Sequence, residues 1–178
     1  MTESESKLER AREAIEALSA TYLQVFDHPP RLEEALAEAR ERLLIVSPWI
    51  GSCVVNDEFL RKLAKAASRG VKVYIGYGIP DDPRRPAPPP REVEAERKLK
   101  DLGRVTKNVT VTRLGDTHAK VLAYDRTWVI LTSFNWLSFK GSREKGYRDE
   151  QGVLLRTPAM IDRKFNELLA RFDAAAGR

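Results

Sequence analysis

Apolar residues at Leu8, Ala11, Ile15, Leu18, Tyr22 and Val25 recur at steps of three and four, which predicts an amphipathic helix over 5–25 with one face to bury. His28-Pro29-Pro30 is expected to stop that helix, leaving His28 on the surface of an interhelical turn ahead of a second helix over 31–41. Arg40-Glu41-Arg42 then leads into Leu43–Val46, a continuous apolar run of strand length. Asn56 or Asp57 is placed to cap a helix that reaches Ser68 and stops at Gly70, and Val71–Ile75 follows as another strand. Strand, helix and strand in succession imply a crossover and a parallel pair. The proline-rich segment 79–91 predicts an extended loop that exposes Arg84, Arg85 and Arg91. Helical character resumes over Glu92–Leu102, and Val105–Arg113 alternates as a strand does. Two short apolar segments, Val121–Tyr124 and Trp128–Leu131, flank Asp125-Arg126-Thr127 and read as a hairpin. One more strand, containing 148–153, and a helix over 158–175 complete the order. This is an α/β pattern without internal repeat: one domain over 41–178, with the helical segment 1–40 packed on it.

Polar residues punctuate the hairpin at fixed intervals: His118, Lys120, Asp125, Ser133 and Asn135. Residues two apart on a strand share a face, so His118 and Lys120 are expected to project together, and Ser133 with Asn135. The four converge where the first strand begins and the second ends. Their chemistry suits a phosphate. A neutral imidazole attacks phosphorus, the lysine supplies positive charge, and the hydroxyl and amide donate to the equatorial oxygens. No metal or other cofactor is required by this set.

The spacing resembles the signature of the phospholipase D superfamily: His-x-Lys, four residues, Asp, six residues, Gly-(Gly/Ser/Thr)-x-Asn. One position departs, since Thr132 stands where the family usually has Gly, and a β-branched residue disfavours the positive φ that Gly permits. The resemblance spans 40–175, taking in Leu43–Ile50, Val71–Tyr77 and Arg148–Val153. It implies a mixed, mainly parallel sheet flanked by helices on both faces. It also implies that Glu150 stands where relatives carry a carboxylate that orients the imidazole through its second nitrogen. Asp149, on the opposite strand face, is the adjacent alternative, and a solvated strand charge is the other reading of each, with Glu150 preferred for the site. Asp125, in the turn, reads as a structural hydrogen-bond acceptor and not as a base.

Displacing an alkoxide from a phosphodiester needs a nucleophile on one side of phosphorus and an acid on the other, and one imidazole cannot serve both sides at once. His28 has prolines after it and no lysine two residues on, so the second imidazole is expected from another copy of the chain. A two-fold homodimer follows, each copy contributing His118, Lys120, Ser133 and Asn135. The resemblance implies the same arrangement for relatives with a single motif. His118 would form a phosphohistidine, and water activated by the partner's His118 would hydrolyse it.

Composition narrows the substrate. The 178 residues are 42% hydrophobic and 32% charged, which fits a folded domain with no membrane-spanning run. Two His and one Cys are too few for an ordinary zinc site, and the lone Cys53 and the absence of an apolar leader favour the cytoplasm. The net charge of +5 favours an anionic partner. Lys140, Arg143, Lys145 and Arg148 follow the motif as either a basic wall for substrate or a solvated charge run, and Trp49 is suited to stack on a base or to fill the core. Gly76-Tyr77-Gly78 lacks the third glycine of a dinucleotide loop, and Pro80 obstructs the helix such a loop requires. A nuclease acting on DNA or RNA is therefore the leading expectation. The alternatives are a lipid hydrolase of phospholipase D type, or a non-catalytic nucleic-acid-binding and dimerisation module attached to a helicase-type protein.

Overall fold

The computed structural model describes residues 3–17, 20–78, 87–115, 117–143 and 148–177. Among the described residues five helices and seven strands follow one another as α1 (Glu3–Ala17), β1 (Thr21–Leu23), a 3-10 turn (Val25–Asp27), α2 (His28–Glu38), β2 (Arg42–Ser47), α3 (Asp57–Ser68), β3 (Lys72–Tyr77), α4 (Pro90–Val105), β4 (Val109–Arg113), β5 (Val121–Tyr124), β6 (Trp128–Thr132), β7 (Gly152–Leu155) and α5 (Pro158–Ala176). The strands form one sheet in the order β1-β7-β6-β5-β2-β3-β4.

Period-two alternation sorts the strand side chains into two layers. Leu43, Ile45, Val73, Ile75, Leu122 and Ile130 face α2, α3 and α4, where Leu36, Phe59, Leu63 and Leu99 cover them. Leu44, Val46, Val121, Ala123 and Val129 face the other way, onto Ile161, Phe165, Leu168 and Phe172 of α5. The α/β class, the mixed sheet and the helices on both faces are thus as the sequence predicts. The sheet is not mainly parallel, however. Only β2–β3 and β3–β4 run parallel; the ladders β2–β5, β5–β6, β6–β7 and β1–β7 are antiparallel, because tight or returning connections replace helical crossovers there.

Several boundaries also move. The first helix ends at Ala17, and Tyr22 lies in β1, paired with Val153 of β7, while Val25 lies in the 3-10 turn. Leu18 falls outside the described residues. The helix does not pack as expected: Leu8 and Ile15 are 73% and 68% exposed. His28-Pro29-Pro30 starts α2 instead of stopping its predecessor, since proline in a first turn lacks only an N–H that would have no helical partner anyway. The strand expected over 105–113 begins at Val109, because α4 runs on to Val105. Segment 79–86, with Arg84 and Arg85, lies outside the described residues, and Pro90 already belongs to α4.

Two polar devices fix the hairpin and α3. Asp125 adopts φ 49° in the β5–β6 turn, and its carboxylate accepts from the backbone N–H groups of Arg40, Glu41 and Arg42, each at 2.9 Å, which ties the turn to the start of β2. Asn56 caps α3 by accepting from Phe59 N at 3.0 Å.

Candidate active site

Strand register brings the motif together at one end of the sheet's central strands. Val121 pairs with Leu131 and with Val46, while Thr132 pairs with Gly152. The residues just beyond these pairs, Ser47–Trp49, His118–Lys120, Ser133–Asn135 and Glu150–Gln151, therefore lie side by side. The junction is tied by Thr132 N donating to Lys120 O at 3.3 Å and Ser133 N donating to Gln151 O at 2.9 Å.

His118 and Lys120 precede β5 in extended chain. The imidazole is exposed, whereas the lysine is 8% exposed. Lys120 Nζ lies 3.2 Å from each ring nitrogen of His118 and donates to His118 O at 2.9 Å. Burial holds this ammonium below the usual lysine range, opposed by the Glu150 charge. Trp49 is half-buried and meets the His118 ring edge-on at 5.5 Å, with Lys120 Nζ 5.8 Å from its own centroid. It forms a wall of the site and is absent from the two core layers.

Ser133 and Asn135 follow β6 as Thr132 hands the chain to a tight turn. Gln151 N donates to Ser133 Oγ at 3.0 Å, and Ser133 Oγ donates to Glu150. Glu150 is 6% exposed, precedes β7, and lies 3.9 Å from Arg148 Nη1. Among the described residues no hydrogen bond joins it to His118, so within one chain its carboxylate positions Ser133. Asp149 is exposed. Asn135 is 6% exposed and its Oδ1 has no hydrogen-bond partner among the described residues. Its backbone carbonyl accepts from Ser138 and Phe139, while Leu137 bonds to Ser47 and Gly51, which fastens the turn to the end of β2. A buried lysine beneath an exposed imidazole is arranged to receive an anionic group, while the open Asn135 Oδ1 is an acceptor that calls for a hydrogen-bond donor.

The basic residues divide. Arg143 stacks on Phe26 at 4.5 Å and Arg148 on Phe139 at 5.0 Å, Lys140 is exposed, and Lys145 falls outside the described residues. No cluster of His, Cys, Asp and Glu suited to a metal occurs among the described residues. Nor does any described helix have the length and apolarity to cross a membrane.

His28 overturns its expected surface position. It is fully buried, stacked on Phe134 at 4.6 Å and 5°, with Nδ1 2.8 Å from Gln24 O and Nε2 2.7 Å from Thr132 Oγ1. The partner is 104 residues away, so no local spacing could reveal it.

The description "Cardiolipin synthase, PLD-like domain" belongs to the family model that matches residues 32–168. No curated protein matches the chain. Among solved structures, Nuc, a phospholipase D family member from Salmonella typhimurium, superposes with a TM-score of 0.60 at 18% identity, over 87% of this chain and 94% of that one. NucT from Helicobacter pylori gives 0.58 at 17% identity, over 89% and 97%. TrmBL2, an archaeal chromatin protein, gives 0.54 at 20% identity, over 94% and 62%. With the family model covering most of the chain and the fold shared along it, the protein belongs to the phospholipase D superfamily as a PLD-like domain.

Proposed function

We propose that this domain is a metal-independent phosphodiesterase that cleaves DNA or RNA through a phosphohistidine, in a site completed by a second copy of the chain. The observation that carries the reading is the end of the sheet where exposed His118 stands over buried Lys120, at the strand ends that also carry Ser133 and Asn135. His118 attacks phosphorus and the leaving oxygen takes a proton from the partner's His118. That ring then deprotonates the water that hydrolyses the intermediate. Lys120 and the Asn135 Nδ2–H group hold the phosphoryl oxygens, and Ser133 joins them when its hydroxyl hydrogen turns from Glu150 to the substrate. Glu150, bonded to Ser133, fixes the hydroxyl in place.

Two copies are supported by an open apolar row beside the motif. Leu131, Val153 and Tyr22 are cross-strand neighbours on the α5 side of the sheet, and Leu131, Tyr22 and Met160 remain 37%, 85% and 47% exposed. Nucleic acid is favoured over lipid by the net charge of +5 and by exposed Lys140 beside aromatic Phe139. The family model's description, which names a lipid synthase, keeps a phospholipid headgroup as the second substrate class. TrmBL2, whose title reports a novel mode of DNA binding, keeps a non-catalytic nucleic-acid-binding module, alone or fused to a helicase, as the third reading.

Labelled single- and double-stranded DNA, RNA and phosphatidylcholine, each incubated with excess EDTA, separate these readings. Nucleic-acid cleavage that survives the chelator and is abolished by His118→Ala is the expected result. Cleavage that needs a divalent metal contradicts the mechanism, and binding without cleavage favours the module.

A further inference from the structure

Thr132 occupies the position where relatives usually have glycine, and it is not idle there. Its Oγ1 touches three groups: His28 Nε2 at 2.7 Å, Gln151 O at 2.7 Å and Phe134 N at 3.0 Å. Phe134 N and Gln151 O have fixed roles, the first donating and the second accepting. His28 Nδ1 faces the carbonyl of Gln24 and must carry a hydrogen. Neutral His28 therefore leaves Nε2 bare, ready to accept the Thr132 hydroxyl hydrogen. Protonated His28 becomes a donor at Nε2, and the hydroxyl hydrogen must turn to Gln151 O. That carbonyl already accepts from Ser133 N at 2.9 Å, and Gln151 N donates to Ser133 Oγ at 3.0 Å.

We propose that His28 is a positioning residue of the site. Its buried imidazole holds Thr132 and so sets the turn that carries Ser133 and Asn135, and its gain of a proton transfers the Thr132 hydroxyl hydrogen from the imidazole to Gln151. The packing leaves no slack for other arrangements. A Cβ on Gly152 would stand 2.9 Å from His28 Nε2 and 3.0 Å from Thr132 Cβ, and the Phe134 ring closes the far side by stacking. A glycine at 132 would leave Nε2 buried without this partner.

Burial pushes this imidazole below its ordinary range, against the opposing effect of its backbone carbonyl partners and of the Asp27 and Glu150 carboxylates. The Asp27 carboxylate acts on it from the 3-10 turn and the Glu150 carboxylate from the residue before Gln151. Thr132, Phe134 and Trp136, which pack around the ring, are uncharged. As pH falls through the ordinary histidine value of about 6.5, the unfolded chain takes up the proton before the folded one, so this contribution to stability is lost on acidification.

The kinetic arm rests on the phosphodiesterase reading and uses bis(p-nitrophenyl) phosphate as probe. His28→Phe and Thr132→Val should each lower kcat about tenfold, the loss of one buried hydrogen bond, with KM nearly constant. His28→Gln, which can present its Oε1 to accept from Thr132 but cannot titrate, should rescue most of that loss and remove one ionisation from the acid limb of the pH profile. In a Thr132→Gly background, His28→Phe should cost nothing further. Additive losses, or an acid limb unchanged in His28→Gln, overturn the proposal. The second arm needs no turnover. In NMR spectra of the wild type, the Ser133 and Gln151 amides should titrate with the His28 ring nitrogens, and that shared midpoint should vanish in His28→Gln. Amides that ignore His28 overturn the coupling, whereas a catalytically inert protein with coupled amides contradicts only the phosphodiesterase reading.

Discussion

Asp125 shows how much one side chain anchors. Held at φ 49°, it accepts three backbone N–H groups at the start of β2, which would otherwise lack these partners at the end of the sheet opposite the motif. Asp125→Ala should lower the free energy of unfolding by about 2 kcal/mol or more in a urea titration, because hydrogen bonds to an ionised acceptor are the stronger kind. Turnover per folded molecule should be largely retained, since the turn lies at the far end of the hairpin from His118. A comparable loss of kcat without loss of stability would instead place Asp125 in the chemistry.

Among the elements, α1 and α2 contrast in what they bury. Leu32, Ala35 and Leu36 of α2 enter the core against β5 and α3, whereas Leu8 and Ile15 of α1 face solvent. Burial of apolar area is what makes a helix contribute to a domain, and propensity adds little on its own. Removing residues 3–17 should therefore leave the thermal midpoint within a few degrees of the full chain, while Leu36→Ala should cost about 2–5 kcal/mol by calorimetry or urea. A large fall in the midpoint on removing α1 would mean that its apolar face is covered in solution.

At the scale of the whole molecule, the single His118 and the uncovered row of Tyr22, Val153 and Leu131 raise the same question of a second copy. Sedimentation of the wild type is expected at twice 20.2 kDa. Leu131→Arg should shift it to the monomer and abolish turnover together, because a charge buried in the interface costs several kcal/mol unless it is paired. An active monomer would disprove the shared site.

The family, the α/β class and most elements were legible in the residues themselves, because strand and helix periodicities and the interval from His118 to Asn135 are properties of local order. The Asn56 cap and the position of Asp125 in its turn belong to the same class of signal. What local order does not carry is who meets whom across the sheet. The antiparallel majority, the pairing of β1 with β7 and the tie of Glu150 to Ser133 follow from register, which hydrophobic patterning constrains only to the choice of face. His28 is the sharpest case. Its neighbours spell a surface turn, yet closing the sheet against α2 buries it on Thr132, where a hydrogen-bonding imidazole and a residue far along the chain satisfy each other.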